Sequence, residues 1–375
     1  MNVFIPGVGF RPNNGLTLRE PVTIMAGDGR GIRVTRLIST DATELAFEVR
    51  DDDRDRAARE GRVDYRWAER SEVWLRTEDG TTLARRTGPG NGTSMGQHEF
   101  GFFGQKVVFD PLPSLSRRVM LGVHGELGAW DVPLELVPLP ESAVTRAIAI
   151  DAGHELHGVV VRVVEMAVTD DATIIELEAD PGPTATAVDI GEWPPKPDDD
   201  GFALIDADGS RLQEISRRDR FGMRRPGRTV VTFPRTESRS LTVEVPAVVF
   251  QDSEGTLDFD LPIFAPTDVD FGRYAMRVRY AAAVDRLATA PGEEAKPGLE
   301  IQIGDGEWRD GRRVVQPGPV FVDGVHHGWT ITAGTDEGTL RVNIPLPDAG
   351  SARHISMRRP VVKVHGPWRI SFSRP

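Results

Sequence analysis

Two matching stretches decide the fold: Gly31–Val49, GIRVTRLISTDATELAFEV, and Gly158–Ala179, GVVVRVVEMAVTDDATIIELEA. In each, a run with alternating apolar residues leads to the tripeptide Asp-Ala-Thr and then to a second alternating run. Alternation with a period of two is the pattern of a half-buried strand. A short polar turn between two such runs predicts a β-hairpin.

The match between these stretches continues along the chain. Asp79-Gly80 and Asp208-Gly209 each follow an apolar run, and Asp-Gly is a turn signal because glycine takes positive φ without steric cost. Each unit then closes on an alternating strand, Trp130–Leu136 in the first and Leu257–Leu261 in the second. The offset of about 120–130 residues is too long for a solenoid repeat and suits a tandem domain.

A third unit, more divergent, fills 263–375, and its closing strand Trp368–Phe372 resembles the one that begins at Trp130. The sequence leaves open whether it is a third copy or an elaboration of the second. We predict an all-β fold of tandem antiparallel β-sandwich (immunoglobulin-like) domains with little helix. The expected parts are an N-terminal segment 1–20, a first domain 21–139, a second domain 140–262 and a third domain 263–375.

Three segments do not follow the strand pattern. Alternating charge over 51–67 favours a solvated loop or one short helix, since Asp52/Arg56 and Asp55/Arg59 have i,i+4 spacing. The proline-rich segment 181–200 and the segment 285–298 are predicted to be long loops.

Charge and composition exclude several classes of protein. The net charge of −12 disfavours nucleic acid and anionic membranes as partners, because binding them rests on neutralisation by lysine and arginine. The absence of cysteine excludes disulfides, thiolate metal sites and a cysteine nucleophile. It fits an exported or cell-surface protein and almost equally a cytoplasmic one. No apolar run reaches the ~20 residues of a membrane span.

No catalytic or metal-binding motif emerges. His154 and His157 would share a face only on a helix, whereas their surroundings indicate strand or turn. Asp206 begins a calcium-loop pattern that fails at its twelfth position, Arg217. Gly-x-Ser-x-Gly and phosphate-binding loops are absent. We therefore predict that the protein is not an enzyme and has no cofactor and no metal.

Aromatic and basic residues are the remaining candidates for function. Trp74, Trp130 and Trp368 lie on alternating strands and are predicted to be core residues between two sheets. Loop tryptophans and one arginine cluster are instead predicted to form an interaction surface, because exposed aromatic and arginine side chains are enriched at interfaces. These residues are Trp67, Trp193, Arg217, Arg218, Arg220 and Trp308.

The N-terminal sequence resembles a known group of proteins. Phe4–Phe10 followed by Leu16–Val22 is similar to the stretch just after the membrane span in bacterial membrane-anchored anti-sigma-factor-like proteins. The strand–Asp-Gly–strand unit and the closing tryptophan strand also resemble that group. The resemblance implies a β-rich extracytoplasmic region of unknown function. The group's sigma-binding segment and membrane helix have no counterpart in this chain, so sigma-factor binding is assigned to no residue here.

From these observations we expect a non-enzymatic extracytoplasmic sensor or interaction region, with specificity in the loops between strands. Its partner would be a protein or a cell-envelope ligand, and any anchor would lie upstream of this chain. The main alternative is a secreted or cell-surface β-sandwich protein for adhesion or carbohydrate binding. An accessory β-region of a hydrolase is a third interpretation.

Overall fold

The computed structural model describes residues 2–53, 71–86, 92–95, 99–101, 103–125, 128–191, 201–217, 227–270, 275–287, 296–304, 311–333 and 340–374. Nearly all regular structure in these ranges is β-strand, and every strand pairing between the strands described is antiparallel. The predicted all-β, sandwich-type fold is therefore confirmed.

The chain begins with a hairpin of β1 (Asn2–Ile5) and β2 (Gly9–Pro12) and continues into a first unit. Nine strands of this unit form one sheet that folds into two layers, joined where the end of β11 pairs with β3. They are β3 (Leu16–Leu18), β4 (Val22–Met25), β5 (Gly31–Ser39), β6 (Thr43–Arg50), β7 (Glu72–Thr77), β8 (Gly92–Met95), β9 (Phe103–Phe109), β10 (Arg118–Gly125) and β11 (Gly128–Pro138).

A short 3₁₀ helix, Glu141–Ala143, and the two-residue strand β12 (Thr145–Arg146) lead to the second unit. Its first sheet has the order β13-β14-β15-β20-β19, and β16, β17 and β18 belong to the sheet that faces it. The strands are β13 (Ile148–Leu156), β14 (Val159–Val168), β15 (Ala172–Asp180), β16 (Ala185–Ile190), β17 (Ala203–Ile205), β18 (Arg211–Gln213), β19 (Ser216–Arg217), β20 (Arg228–Pro234) and β21 (Ser240–Asp252).

Most of the remaining strands form a third unit, and the last strand, β32, pairs with β21 of the second unit. One sheet has the order β23-β24-β25-β30-β29 and the other β22-β31-β27-β28. A 3₁₀ helix, Ala349–Ser351, precedes β31. The strands are β22 (Thr256–Asp260), β23 (Thr267–Asp270), β24 (Ala275–Val284), β25 (Gly298–Gly304), β26 (Arg312–Gln316), β27 (Val320–Val322), β28 (Val325–His327), β29 (Thr330–Ala333), β30 (Leu340–Pro345), β31 (His354–Arg358) and β32 (Val361–Ser373).

The three units share one sheet arrangement. The order β4-β5-β6-β9-β8 of the first unit has the same connectivity as β13-β14-β15-β20-β19 and β23-β24-β25-β30-β29. In each central hairpin the register shifts by one residue on the first strand, at Thr35, Val164 and Arg279. A β-bulge of this kind bends its strand and increases the local twist. The three sheets therefore share a bend at the same place as well as a strand order.

The second and third units exchange strands at their ends, and β26 of the third unit also joins the second unit's sheet by pairing with β32. In the first unit β10 pairs with β11, which follows it directly, and Val123 lies opposite Trp130. The corresponding β21 does not pair with β22, which follows it, but with β32 at the end of the chain, where Val245 lies opposite Trp368. In return β22 pairs with β31 of the third unit. The predicted boundary at 262 stays a prediction, but the sheets are not divided there.

The buried side chains reflect this exchange. One continuous apolar core contains residues of both the second and third units, from Val159 to Phe372, with Trp368 fully buried at its centre. The first unit has a separate core that includes Leu45, Leu121 and Trp130. The second and third units thus share one core.

The N-terminal hairpin packs against both the first and the second unit. Phe4 and Phe10 pack on the outer face of the second unit, against residues that include Ile174. Val3, Ile5 and Val8 pack against Ile38 of the first unit. On the same side, the buried Arg11 guanidinium donates a hydrogen bond of 3.1 Å to the buried Glu44 carboxylate, which also pairs with Lys106 at 2.8 Å. The predicted segment 1–20 is therefore structured.

Two sequence predictions about loops have different outcomes. The segment 181–200 was expected to be a loop throughout, but Ala185–Ile190 forms β16 and pairs with β21. Its apolar residues Ala187 and Ile190 are buried, which explains why it adds to a sheet edge. The other predictions fall mostly outside the described residues. Residues 54–67 of the candidate helix over 51–67 are not described, nor are residues 192–200 and 288–295 of the two predicted loops.

Candidate functional site

A cleft of about 1000 Å³ opens where four parts of the chain meet. They are the N-terminal strand, the connector between the first two units, the outer face of the second unit and the C-terminal residues. This volume is at the upper end of the range typical of small-molecule sites. The lining residues are Asn2, Thr145, Arg146, Ala147, Ile148, Ala149, Glu165, Val168, Arg235, Glu237 and Arg374.

The β-bulge at Val164 places Glu165 in this cleft. Val163 and Met166 are both buried in the core, although they are three residues apart and would point to opposite faces of a regular strand. The extra residue at the bulge turns both side chains to the same face. Glu165 therefore lies on the outer face of the sheet, beside the N-terminal hairpin. There the Asn2 amide donates a hydrogen bond of 2.7 Å to Glu165 Oε1.

The second carboxylate oxygen of Glu165 has no such partner. Oε2 is buried and accepts no hydrogen bond within the part of the chain that the structure describes. A buried acceptor without a donor costs about 1–3 kcal/mol. Since Glu165 lines the cleft, its carboxylate is short of one donor beside a space that a ligand can enter.

Arg146 is the other uncompensated charge in the cleft. Its backbone pairs with Val3 of the N-terminal strand, whereas its side chain is exposed. In the described ranges no hydrogen bond or ion pair holds its guanidinium. Arginine presents five donors in a planar fork that matches a carboxylate or a phosphate, so this group is available to an anion.

The remaining charges of the cleft satisfy one another. Arg235 contacts the Glu237 carboxylate at 2.5 Å, and Arg374 approaches it at 3.4 Å. The hydrogen bond and charge of Arg235 are the main cause that lowers the pKa of Glu237 below its ordinary value, and Arg374 contributes less. Arg235 also donates to the carbonyl of Asp170, and Arg374 to that of Thr236. These contacts tie the C-terminus to the second unit beside the cleft.

The predicted interaction surface is not tested by this structure. Trp67, Trp193, Arg218, Arg220 and Trp308 lie outside the described residues. The backbone of Arg217 is in β19, opposite Val231, and its side chain is outside the description as well. The surface stays a prediction.

The tryptophans predicted to be core residues divide into two kinds. Trp130 and Trp368 are buried, as expected, and the Trp368 indole donates a hydrogen bond of 3.0 Å to the carbonyl of Val159. For Trp74 the prediction is wrong. Val73 and Leu75 take the inward positions of β7, so Trp74 points outward and is only half-buried.

Trp74 lies flat on the outer face of the first unit. Its ring covers Gly122 of β10, where a Cβ atom would come within 1.9 Å of the indole. The Arg76 guanidinium is stacked 4.5 Å from the ring centroid, and His124 contacts the ring edge at 5.8 Å. His124 in turn bonds Asp131 at 3.0 Å. The result is an aromatic platform surrounded by charged groups, which we call the Trp74 platform.

The histidines that the sequence singled out are not brought together as ligands. His154 Nδ1 accepts the backbone N–H of Arg369 at 3.0 Å. His157 lies in the turn after β13 with φ of 53°, and its carbonyl accepts from Arg312. Within the residues described, no group of three or more histidine, cysteine, aspartate or glutamate side chains has the arrangement of a metal site.

Sequence reasoning singled out no residue of the cleft. Asn2, Arg146, Glu165 and Arg374 lie far apart in the chain, and each is surrounded by an ordinary strand pattern. One signal was present in retrospect, since Glu165 interrupts the apolar run of β14. A charged residue in such a run marks a bulge or an outward position that needs a partner.

Comparisons with known proteins identify no family. No protein-family model matches the chain, and no curated protein is found to be similar. Among solved structures, the chain is similar to a conserved domain protein from Bacillus anthracis, with 11% sequence identity and a TM-score of 0.32. That match covers 67% of this chain and 81% of the other. In the described part of the chain, no helix has the length and apolar character to cross a membrane.

Proposed function

We propose that this chain is a non-enzymatic sensor or interaction region that acts outside the cytoplasm and binds its ligand in the cleft between the N-terminal strand and the second unit. The observation that carries the proposal is the meeting of four chain segments at this cleft, with Asn2 of the N-terminal strand bonded to Glu165 in its wall. A ligand there would contact the N-terminal strand directly. Occupancy of the cleft would therefore affect the end of the chain at which the resemblance to anti-sigma-factor-like proteins places the membrane anchor.

The arrangement of the units supports this proposal. The shared strand order and the bulges at Thr35, Val164 and Arg279 support the further proposal that the units arose by duplication. Duplicated sandwiches form a rigid scaffold, and the sites of such proteins occur preferentially at domain interfaces. The cleft lies between the outer face of the second unit and the N-terminal strand, whose hairpin packs on both the first and the second unit.

The experiment compares the chain with a variant whose cleft is filled. The purified protein is incubated with a cell-envelope extract of small molecules, separated by gel filtration, and the retained compounds are identified by mass spectrometry. Ala149→Trp fills the cleft from its wall, and Ala283→Trp is the matched control on an exposed strand position of the third unit.

A compound that the native chain and Ala283→Trp retain, and Ala149→Trp does not, supports the proposal. Equal retention by all three proteins, or no retention by any, contradicts it. Conversion of a compound in the extract by the native chain would contradict the non-enzymatic part.

The Trp74 platform favours one alternative, a secreted or cell-surface protein for adhesion or carbohydrate binding. A flat aromatic ring beside an arginine and an aspartate offers both a stacking surface and hydrogen-bonding groups. Binding to a glycan array that is lost in Trp74→Ala and kept in Ala149→Trp would favour this alternative over the cleft.

A further inference from the structure

We infer that the ligand of the cleft is a short peptide with free ends, whose terminal carboxylate binds the Arg146 guanidinium and whose terminal ammonium pairs with the Glu165 carboxylate. This inference rests on the proposed function, because it names the class of ligand for the same cleft. It is carried by two groups with opposite charge that line one cleft and are not satisfied by the described residues: the Arg146 side chain and the buried oxygen of Glu165.

Charge balance selects a zwitterion over a simple anion or cation. The cleft is lined by three arginines and two glutamates, and Glu237 already pairs with Arg235 and Arg374. An anion alone would satisfy Arg146 and leave the buried Glu165 oxygen without a donor, and a cation alone would do the reverse. The buried Glu165 oxygen is the costly group of the two, because a buried acceptor without a donor is destabilising. A ligand with one charge of each sign pairs with both Glu165 and the exposed Arg146 at once.

The chemistry of the two groups favours a carboxylate and an ammonium. A guanidinium binds a carboxylate through two parallel hydrogen bonds, and a hydrogen bond between two ionised groups is roughly twice as strong as a neutral one. The ammonium of a peptide carries three donors and therefore suits a carboxylate that lacks a donor to one of its oxygens.

Size and the remaining walls favour a peptide over a single amino acid. A cleft of about 1000 Å³ accommodates a ligand of several residues. Ala147, Ala149 and Val168 give it small apolar walls, which suit a backbone with small side chains. The N-terminal strand beside it supplies Asn2, whose amide already bonds the other oxygen of Glu165.

The test uses isothermal titration of the full chain with triglycine in three forms: with free ends, as its C-terminal amide, and with an acetylated N-terminus. We expect saturable binding of the free form, and affinity weaker by about tenfold or more for each blocked form, which is about 1.4 kcal/mol per lost ion contact. Binding of all three forms with equal affinity, or no saturable binding of free triglycine, would overturn the inference.

Two variants assign the ends of the peptide. In Arg146→Ala the acid and the amide should bind equally, while acetylation still weakens binding. In Glu165→Gln the reverse is expected. Arg162→Ala, an exposed arginine of β14 that does not line the cleft, is the charge-matched control and should behave like the native chain. Unchanged discrimination in both cleft variants would contradict the assignment.

The outcome also separates this inference from the proposed function. If the gel-filtration experiment finds a compound that depends on the cleft but has no free carboxylate or amine, the peptide class is wrong and the binding function stands. If no compound depends on the cleft, both are wrong.

Discussion

At the scale of single residues, tryptophans on similar strand patterns occupy different environments. Trp368 is fully buried in the core of the second and third units and donates a hydrogen bond to the carbonyl of Val159, whereas Trp74 covers a glycine on the outer face of the first unit. The sequence pattern around each residue alternates in the same way. What separates them is whether the tryptophan itself or its neighbours occupy the inward positions.

We expect Trp368→Ala and Trp130→Ala each to lower the free energy of unfolding by about 3–5 kcal/mol, because each leaves a large cavity in a packed core. Trp74→Ala should cost about 1 kcal/mol, since it removes a cation–π contact and creates no enclosed cavity. Urea unfolding followed by circular dichroism measures all three. A cost for Trp74→Ala equal to that for Trp368→Ala would contradict the placement of Trp74 on the outer face.

His354 connects the exchanged strand β22 to β31. Its Nδ1 lies 3.0 Å from Asp260, its Nε2 lies 3.6 Å from Asp258, and the hydrogen bond with Asp260 is the main cause of its raised pKa. Because the folded pKa is higher than the unfolded one, protonated His354 stabilises the fold fully below the unfolded pKa of about 6.5. That contribution is lost as pH rises through the folded pKa.

The predicted change in the free energy of unfolding is small, about a few tenths of a kcal/mol, since all three side chains are well exposed. It should disappear in His354→Gln and persist in His326→Gln, a histidine of the same sheet. Urea unfolding at a series of pH values from 5 to 9 checks this. A pH dependence that is unchanged in His354→Gln would rule out the bridge.

At the scale of elements, the exchange of β22 and β32 explains why closing strands with similar sequences pair differently. The turn between β10 and β11 is short and ends at Gly125 and Gly128, both with positive φ, so the two strands form a hairpin. Between β31 and β32 the turn contains Arg359, with φ of 52°, and Pro360, and β32 leaves the sheet of β31. The chain therefore completes the second unit with its last strand.

A chain that ends at residue 262 should consequently fail to fold its second unit. It lacks β32, and β21 is left with an unpaired edge next to the space that Trp368 fills. Exposed edges of this length promote aggregation. We expect insoluble protein or a loss of amide dispersion for the second unit, whereas residues 15–139 alone should fold. A soluble 1–262 chain with native dispersion in β21 would contradict the exchange.

At the scale of the whole molecule, the separate cores predict two cooperative units. The second and third units share one apolar core, while the first has its own and meets the second mainly through the N-terminal hairpin. Ile301→Ala in the third unit should cost about 2–5 kcal/mol. Because the core is shared, the loss should also appear in the second unit.

Hydrogen exchange of the native protein measures this coupling. In Ile301→Ala the protection of amides in β14 and β21 should fall together with that of β25, while the amides of β6 and β10 keep their protection. If only the third unit loses protection, the second and third units are independent despite their common core.

The class of fold follows from local patterns in the sequence. The alternation in Gly31–Val49 and Gly158–Ala179 depends only on neighbours along the chain, so it predicts hairpins, and both are present as β5–β6 and β14–β15. Local signals of the same kind located the strands at Trp130, Leu257 and Trp368 and the buried Trp130 and Trp368. They failed at Trp74 and at β16, where the sheet face and the available edge decide burial. The prediction that Leu257–Leu261 closes the second unit is wrong, because that strand pairs with β31 of the third unit.

The partners of β22 and β32 depend on tertiary packing, because an alternating strand can pair with any compatible edge and nothing in its own residues specifies that edge. The cleft has the same origin. Asn2, Arg146, Glu165 and Arg374 come together only when the N-terminal hairpin and the last strand pack on the second unit. A binding site made of such distant residues leaves no continuous motif, since the spacing of its groups is set by packing and not by position along the chain.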